Sequence, residues 1–405
     1  SVGGPAKASV IASAAMGSIS GSAIANTVTT GSMTIPMMKE LGYSPEQAAG
    51  TEAAASTGGQ IMPPIMGAGA FVMAEFTKTS YGEIVWISLA PAILYFVSVL
   101  LYVHLAAVKG RFPVVENPAA VIPVLKNGLH FFVPISLITW LLLNNYSPVL
   151  VGISGCGAIL LATFLQRDRS VTLSQIFEGL KQGAVLAVPI SAACAVAGIV
   201  VGTIGQTGIG LQFTESVVAM SGGQLWFALI LIAFAALVLG MGLPATAAYI
   251  VLAVMTGPAL QDLGLPLLVA HMIIFWLAQT SNVTPPIALA AFAGAGIAGA
   301  SPMKSAFSAF KLANGLFLIP LMMAYSSLLL VDGNSWGDVV LSAVCTLVIM
   351  LLIALTLEGF WSKPFTVFQR ALAASLALLL IWPSLYTRLA GFLGFVTFIL
   401  VFRGH

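Results

Sequence analysis

Two short stretches decide the fold: Thr57-Gly-Gly-Gln-Ile-Met-Pro-Pro64 and Thr280-Ser-Asn-Val-Thr-Pro-Pro286. Each sits in the middle of an apolar region that otherwise reads as a membrane helix. Proline removes a backbone donor and stops the helix before it, but it is tolerated at the start of the next one. Both stretches therefore read as breaks between two half-helices. Irregular backbone inside a bilayer survives only where protein or a water-filled cavity covers it. Such breaks point to a binding site.

The two stretches belong to one internal repeat. A shift of 222 residues lays 23–68 over 245–290 without a gap. Met33, Thr34 and Pro36 meet Met255, Thr256 and Pro258; Leu41-Gly42 meets Leu263-Gly264; Gln60 meets Asn282. The matches fall on breaks and turns rather than on generic leucines, which is the signature of a structural repeat. Each copy opens with an apolar helix that runs into a Gly-rich tip, Gly17-Ser-Ile-Ser-Gly-Ser22 or Gly240-Met-Gly-Leu-Pro244, and a second apolar helix leaves it. The arms are too short for two comfortable spans, so each pair reads as a re-entrant hairpin. A polar turn follows (Lys39–Pro45; Gln261–Pro266), and then the broken helix.

Composition sets the surroundings. Of 405 residues, 59% are hydrophobic and 7% charged, against roughly 25% charged in soluble domains. With a mean hydropathy of +1.04, the chain cannot cover a soluble surface. A soluble enzyme, a nucleic-acid binder and a disordered protein are excluded, and an all-α polytopic membrane protein remains. Cys156, Cys194 and Cys345 have no metal or redox spacing and read as small core residues. The chain starts at Ser1 without a signal peptide, and we read it as a fragment whose preceding part is missing. Ordinary spans of about 20 residues are expected at Ile84–Val108, Leu129–Leu143, Pro148–Leu165, Gly183–Ile204, Leu312–Val331 and Val339–Leu357. Two closely spaced segments follow, near Ala371–Trp382 and Leu389–Phe402. The organisation is thus a first hairpin-and-break repeat (1–81), connecting helices (82–205), a second hairpin-and-break repeat (206–303) and C-terminal helices (304–405).

A hairpin returns to its own side and a broken helix crosses once. One broken helix and four ordinary spans separate the hairpins, and an odd number of crossings makes the repeat inverted. With Lys7 and Lys39 on the cytoplasmic side, Lys109, Arg111, Lys126, Arg167, Arg169, Lys181, Lys304, Lys311, Lys363, Arg370 and Arg403 also fall inside. Only Lys78 and Arg388 fall outside, so thirteen of fifteen basic residues obey the positive-inside rule. Glu75, Glu83, Glu215, Asp262, Asp332 and Asp338 fall outside, which that rule permits. The basic side is expected to face the cytoplasm.

Paired tips and breaks make a site for small ions. Half-helix N-termini suit an anion, and half-helix C-termini with unwound carbonyls suit a cation such as Na⁺. For substrate we name Ser20, Gly21, Ser22, Gly59, Gln60, Gly242, Leu243, Pro244, Asn282 and Thr284. For the cation we name Ser18, Asn26, Thr57, Gly58, Gly240, Thr246, Thr280 and Ser281. No Lys or Arg lies near either tip, so backbone dipoles, hydroxyls and a bound cation must hold a carboxylate. Glu52, eight residues before Gln60, reads either as a proton carrier or as a carboxylate bonded to its neighbours. His271 in the matching half-helix reads as structural; His104 and His130 read as interfacial. No cofactor is expected.

Gly17-Ser-Ile-Ser-Gly-Ser-Ala-Ile-Ala-Asn26, the stretch Thr51–Pro64, and Gly240-Met-Gly-Leu-Pro-Ala-Thr-Ala-Ala-Tyr249 resemble the large membrane subunit of tripartite ATP-independent periplasmic (TRAP) transporters, in particular the fused type that works with TAXI-class binding proteins. The resemblance covers about residues 1–330. It implies an elevator-type secondary transporter in which the hairpins and broken helices move against a scaffold. It also implies Na⁺ coupling at each hairpin–break pair, with a proton as the alternative through Glu52. A periplasmic binding protein would deliver a small organic anion, and small-subunit-like helices would precede this chain. Besides a passive channel, two rivals stand beside it. One is a divalent-anion/Na⁺ symporter that needs no binding protein. The other is an intramembrane serine protease built on Gly152-Ile-Ser154-Gly155 and His271, which leaves the repeat unexplained.

Overall fold

The computed structural model describes residues 2–113, 122, 128–164, 172–331, 333–361 and 363–403. Leu165, Lys126, Arg167, Arg169 and Asp332, and the side chain of Arg403, lie outside the described residues. The described chain is helical, apart from one isolated bridge between Phe360 and Pro364.

The first hairpin is α1 (Gly4–Ser20) and α2 (Ala23–Glu40). Its arms of 17 and 18 residues reach about 26 Å at 1.5 Å per residue, short of the ~30 Å hydrocarbon core. The first broken helix is α3 (Pro45–Gly59) and α4 (Ala68–Thr77). Its start is fixed by a capping box, with Ser44 and Gln47 exchanging hydrogen bonds and Pro45 in the first turn. Then come α5 (Tyr81–Lys109), α6 (Phe132–Leu143), α7 (Pro148–Phe164), α8 (Leu173–Thr207) and α9 (Ile209–Met220). The second hairpin is α10 (Leu225–Gly240) and α11 (Ala245–Asp262), and the second broken helix is α12 (Leu267–Gln279) and α13 (Leu289–Ala298). The chain ends with α14 (Pro302–Leu312), α15 (Gly315–Tyr325), α16 (Trp336–Glu358), α17 (Val367–Ile381) and α18 (Leu385–Arg403). The helices α2 and α11 have both ends at the 222-residue offset, and the Pro63-Pro64 and Pro285-Pro286 bonds are both cis.

Contacts along the two broken helices establish their relative direction. A Cβ on Gly294 would lie 3.1 Å from the Ala49 carbonyl oxygen. Further along, the Asn282 amide meets the Gln60 side chain at 3.0 Å. Beyond that, a Cβ on Gly69 would lie 2.9 Å from a ring carbon of Phe275. The partner number falls as the residue number rises, so the broken helices run antiparallel, with α3 beside α13 and α4 beside α12. The repeat is inverted. Gln60 and Asn282 are repeat equivalents that touch each other, so the pseudo-two-fold axis passes between them.

The expected topology groups residues that the structure also groups. Lys7 Nζ lies 3.1 Å from His104 Nδ1, Lys39 Nζ donates to the Ala298 carbonyl at 2.8 Å, and Lys109 and Lys311 both reach Glu358. At the opposite end, Ser80, Glu83, Asn145 and Trp336 line one cavity.

Several expectations need correction. The first turn lies at Gly21-Ser22, because Gly17–Ser20 stay helical; Gly17 serves close packing there. The second half-helices begin at Ala68 and Leu289, a few residues past the prolines rather than on them. Among the described residues four helical segments are long and apolar enough to cross a membrane: Tyr81–Lys109, Leu173–Thr207, Pro302–Tyr325 and Trp336–Glu358. The expected span Leu129–Leu143 is a short 3₁₀ turn followed by the 12-residue α6. Finally, α9 is an additional short helix packed on α11.

Candidate functional site

The site is built around Gln60, the residue that ends α3. Its Nε2 donates to the Gly21 carbonyl at the first tip (3.1 Å), and its Oε1 accepts from Asn282 Nδ2 at 3.0 Å. One side chain therefore ties the first tip, the first break and the second break together. The break folds back on itself through Gly67 N–H to the Gln60 carbonyl (2.7 Å), and docks on the hairpin through Ile65 N–H to the Ser18 carbonyl (3.2 Å). Gly21 has φ 61, and a Cβ there would lie 2.5 Å from the Met66 carbonyl oxygen. Only glycine fits both demands. The Tyr81 hydroxyl holds the carbonyls of Pro64 and Ile65 from outside. In the second copy, Gly240 rests on Ser281, with a Cβ placed 3.2 Å from the serine Cβ.

The expected substrate residues divide. Gly21, Gly59, Gln60 and Asn282 meet at this junction. Ser22 caps α2 by accepting from Ala25 N–H at 3.3 Å, and Ser20 is exposed beside it. Gly242, Leu243 and Pro244 form the outer rim of the second tip; nothing lies within 4 Å of a Cβ on Gly242. The structure does not bring those three to Gln60. The N-termini of α4, α11 and α13 carry no side-chain cap, which leaves first-turn N–H groups facing the breaks or tip.

The expected cation residues also divide. The hydroxyls of Ser18, Thr57, Thr280 and Ser281 donate to carbonyls three or four residues earlier in their own helices. Donation leaves their oxygen lone pairs available. Thr246 is half-buried, and Gly58 packs its Cα against Tyr95. The informative atoms are buried oxygens without a hydrogen-bond partner: Asn26 Oδ1 and Thr27 Oγ1 in the first hairpin, and Gln279 Oε1 and Thr284 Oγ1 in the second break. Each copy thus supplies neutral oxygen ligands beside a helix C-terminus. That donor set fits a hard monovalent cation. Sequence reasoning missed Gln279, although its repeat equivalent is Thr57, which it did single out.

Glu52 stands apart from the junction. It is fully buried, and the hydroxyls of Ser9, Ser13, Thr30, Thr34 and Ser56 lie within hydrogen-bond reach of its carboxylate, those of Thr30 and Thr34 also reaching the Asn26 and Thr30 carbonyls. The sequence signal was present as hydroxyl pairs spaced by four on α1 and α2, which also suits plain helix packing. His271 accepts or donates through Nδ1 to the buried Tyr249 hydroxyl at 2.7 Å, with Phe76 at its ring edge.

Antiparallel broken helices, each clasped by a re-entrant hairpin, define a membrane transporter of the inverted-repeat class. Residues 1–331 match the family described as "Tripartite ATP-independent periplasmic transporter, DctM component", and the chain belongs to that family. The family comprises large permease components of secondary transporters, which work with a periplasmic binding protein and a small subunit. It is a family of transporters, not of enzymes. No curated protein matches the chain significantly.

Proposed function

We propose that the chain imports a small organic anion, a carboxylate, by cation symport across the bacterial inner membrane. A TAXI-type periplasmic binding protein hands the substrate to the paired tips. The uncapped N-termini of α4, α11 and α13 receive the carboxylate. The buried oxygens of Asn26 in one copy, and of Gln279 and Thr284 in the other, hold Na⁺ and offset the substrate's charge. The hairpins and broken helices move together as an elevator, with the first hairpin opening to the cytoplasm. Small-subunit-like helices complete the scaffold.

The observation that carries this reading is the Gln60–Asn282 contact on the pseudo-two-fold axis, because it couples both breaks and one tip at a single point. The test is uptake of a panel of radiolabelled mono- and dicarboxylates by the full-length transporter. It is reconstituted in vesicles with its periplasmic binding protein. Uptake of one member is expected only with the binding protein and an inward cation gradient. The double substitution Asn26→Ala with Asn282→Ala should reduce it at least ~10-fold, since each loss leaves buried polar groups unpaired at ~1–3 kcal/mol. Uptake that ignores both the gradient and the double substitution sinks the reading.

A further inference from the structure

Two apolar hollows adjoin between α10 and α15. One, of about 320 Å³, is lined by Trp226 and Ile230 on α10, by Leu321 and Tyr325 on α15, and by Leu378 on α17 and Trp382 just after it. The other, of about 250 Å³, shares Ile230 and Leu321 and goes on past Ala233, Leu277 and Phe317. Residues three or four apart share a helix face, so the two hollows form one groove. It runs from Trp226 to Ala233 along α10 and from Tyr325 back to Phe317 along α15. At 1.5 Å per residue that is about 10–12 Å. Carbon lines nearly all of it, and the Trp226 indole N–H is already given to Gln224.

The mouth of the groove lies where the helices end. Trp226 is in the first turn of α10, Tyr325 closes α15, and Trp382 follows α17. The span Pro302–Tyr325 begins at Lys304 on the basic face, so Tyr325 lies at the opposite face. Tryptophan and tyrosine collect at the membrane–water interface, which sets the mouth at headgroup level and Ala233 and Phe317 at acyl-chain depth. Trp226, Ile230, Leu378 and Trp382 are exposed, so the groove opens sideways to lipid.

Arg388 on α18 stands at this mouth. Its Nη2 donates at 2.9 Å to the carbonyl of Tyr325, the residue that also lines the groove. Beside it Thr387 Oγ1 donates to the Trp382 carbonyl at 3.3 Å, which ties α18 to the same end. A guanidinium has several N–H donors. Here one carbonyl takes one of them, and Nε is buried without a partner. Among the described residues the ion pairs join Glu75, Glu178 and Glu358 to lysines, and none reaches Arg388. A half-buried charge without a counter-charge is costly at a membrane. The guanidinium fork matches a phosphate. The family match ends at residue 331, so Leu378, Trp382 and Arg388 are additions to the common frame that supplies α10 and α15.

We propose that this groove binds one anionic phospholipid from the leaflet opposite the basic face, with its phosphate on Arg388 and one acyl chain laid between α10 and α15. A cation at the interface above a run of carbon is the complement of a whole phospholipid and of neither half alone. Inorganic phosphate leaves the groove unfilled, and a diacylglycerol leaves Arg388 without a counter-charge. The groove shares no residue with the junction at Gln60, and the lipid site does not rest on the transport reading.

Native mass spectra of the delipidated full-length transporter test the site, in titrations with phosphatidylglycerol, phosphatidylcholine, diacylglycerol and inorganic phosphate. One phosphatidylglycerol should bind at least ~10-fold more tightly than phosphatidylcholine or diacylglycerol, the scale of one charge-assisted hydrogen bond. Inorganic phosphate should not displace it. Arg388→Gln keeps a donor for the Tyr325 carbonyl and should erase the preference. Leu378→Trp, at an exposed position, fills the mouth of the groove and should weaken phosphatidylglycerol by a similar factor. A wild type without the preference, or an Arg388→Gln variant that keeps it, overturns the headgroup assignment. Unchanged binding in Leu378→Trp overturns the groove, and displacement by inorganic phosphate at equal concentration shows an anion site only. Should Arg388→Gln fail to fold, chain-brominated lipids decide the matter on tryptophan fluorescence. Brominated phosphatidylglycerol should quench the wild type saturably at ~10-fold lower concentration than brominated phosphatidylcholine. The quenching should shrink in the double variant Trp226→Phe with Trp382→Phe. Equal quenching by the two lipids, or undiminished quenching in the double variant, overturns the site.

Discussion

Gln60→Leu is expected to abolish transport while leaving the protein folded. Gln60 is the residue through which the first tip, the first break and the second break communicate, by bonds to the Gly21 carbonyl and to Asn282. Leucine fills a similar volume and offers neither donor nor acceptor. Asn282 Nδ2 keeps its second acceptor, the Gln279 carbonyl at 3.3 Å, whereas the Gly21 carbonyl loses its side-chain donor. The stability cost is therefore modest, on the order of 1–3 kcal/mol for unpaired buried groups. The functional cost is larger, because the tip loses its register against the breaks. Misplacing a binding element by about 1 Å costs on the order of 100-fold in comparable positioning tasks. Uptake should fall by at least that factor, with the variant still monodisperse in detergent. Adding Asn282→Leu should cost little more, since touching residues act as a unit. Two independent, additive losses would show that the contact does not join the copies.

The breaks were legible because lipid penalises what they contain. Polar residues and prolines in mid-helix need a reason, and a second copy at a constant offset supplied it. The odd number of crossings, together with the basic residues, foretold the inversion that the Ala49–Gly294, Gln60–Asn282 and Gly69–Phe275 contacts make visible. Partner identity was not legible. Nothing in Ala49 or Gly294 says that they meet, because small residues packing backbone on backbone carry no complementary chemistry. Gly17 misled for the same reason: a glycine that marks a tip and a glycine that lets two helices touch are alike in sequence. Helix ends at α6, and the extra α9, escaped because hydropathy measures solvent preference and not where backbone hydrogen bonding stops. Glu52 showed its type but hid its partners, since serines and threonines spaced by four suit ordinary packing as well as a carboxylate shell.

The largest structural effect is expected where α1 and α3 touch. Gly17 and Gly59 lie backbone to backbone, and a Cβ on either would sit 2.4 Å from the Cα of the other. Carbon atoms rest at about 3.5–4.0 Å, so Gly59→Val must push the helices apart by more than an ångström. No flexible side chain is there to move aside, because the next obstacles to Gly59 are also backbone atoms, the Gly17 carbonyl carbon at 3.0 Å and the Ser13 carbonyl oxygen at 3.3 Å. The displacement spreads to neighbours that depend on the same spacing. Asn26 donates to that Ser13 carbonyl at 2.9 Å, and Ser9 and Ser13 on α1 hold Glu52 on α3. Overpacking alone costs about 1–3 kcal/mol; loosening buried Glu52 from its hydroxyl partners adds to it, about 1–3 kcal/mol for each buried polar group left unpaired. Together these are a large part of the roughly 5–15 kcal/mol that holds a typical protein folded. Gly59→Val should therefore fail to accumulate, or melt far below the wild type in detergent. Gly296→Ala is the control, since a Cβ there meets nothing within 4 Å in an exposed helical position, and it should melt with the wild type or slightly above it. Equal melting of Gly59→Val and wild type would mean that the first hairpin does not lie against α3, and both the junction at Gln60 and the shell around Glu52 would have to be given up with it.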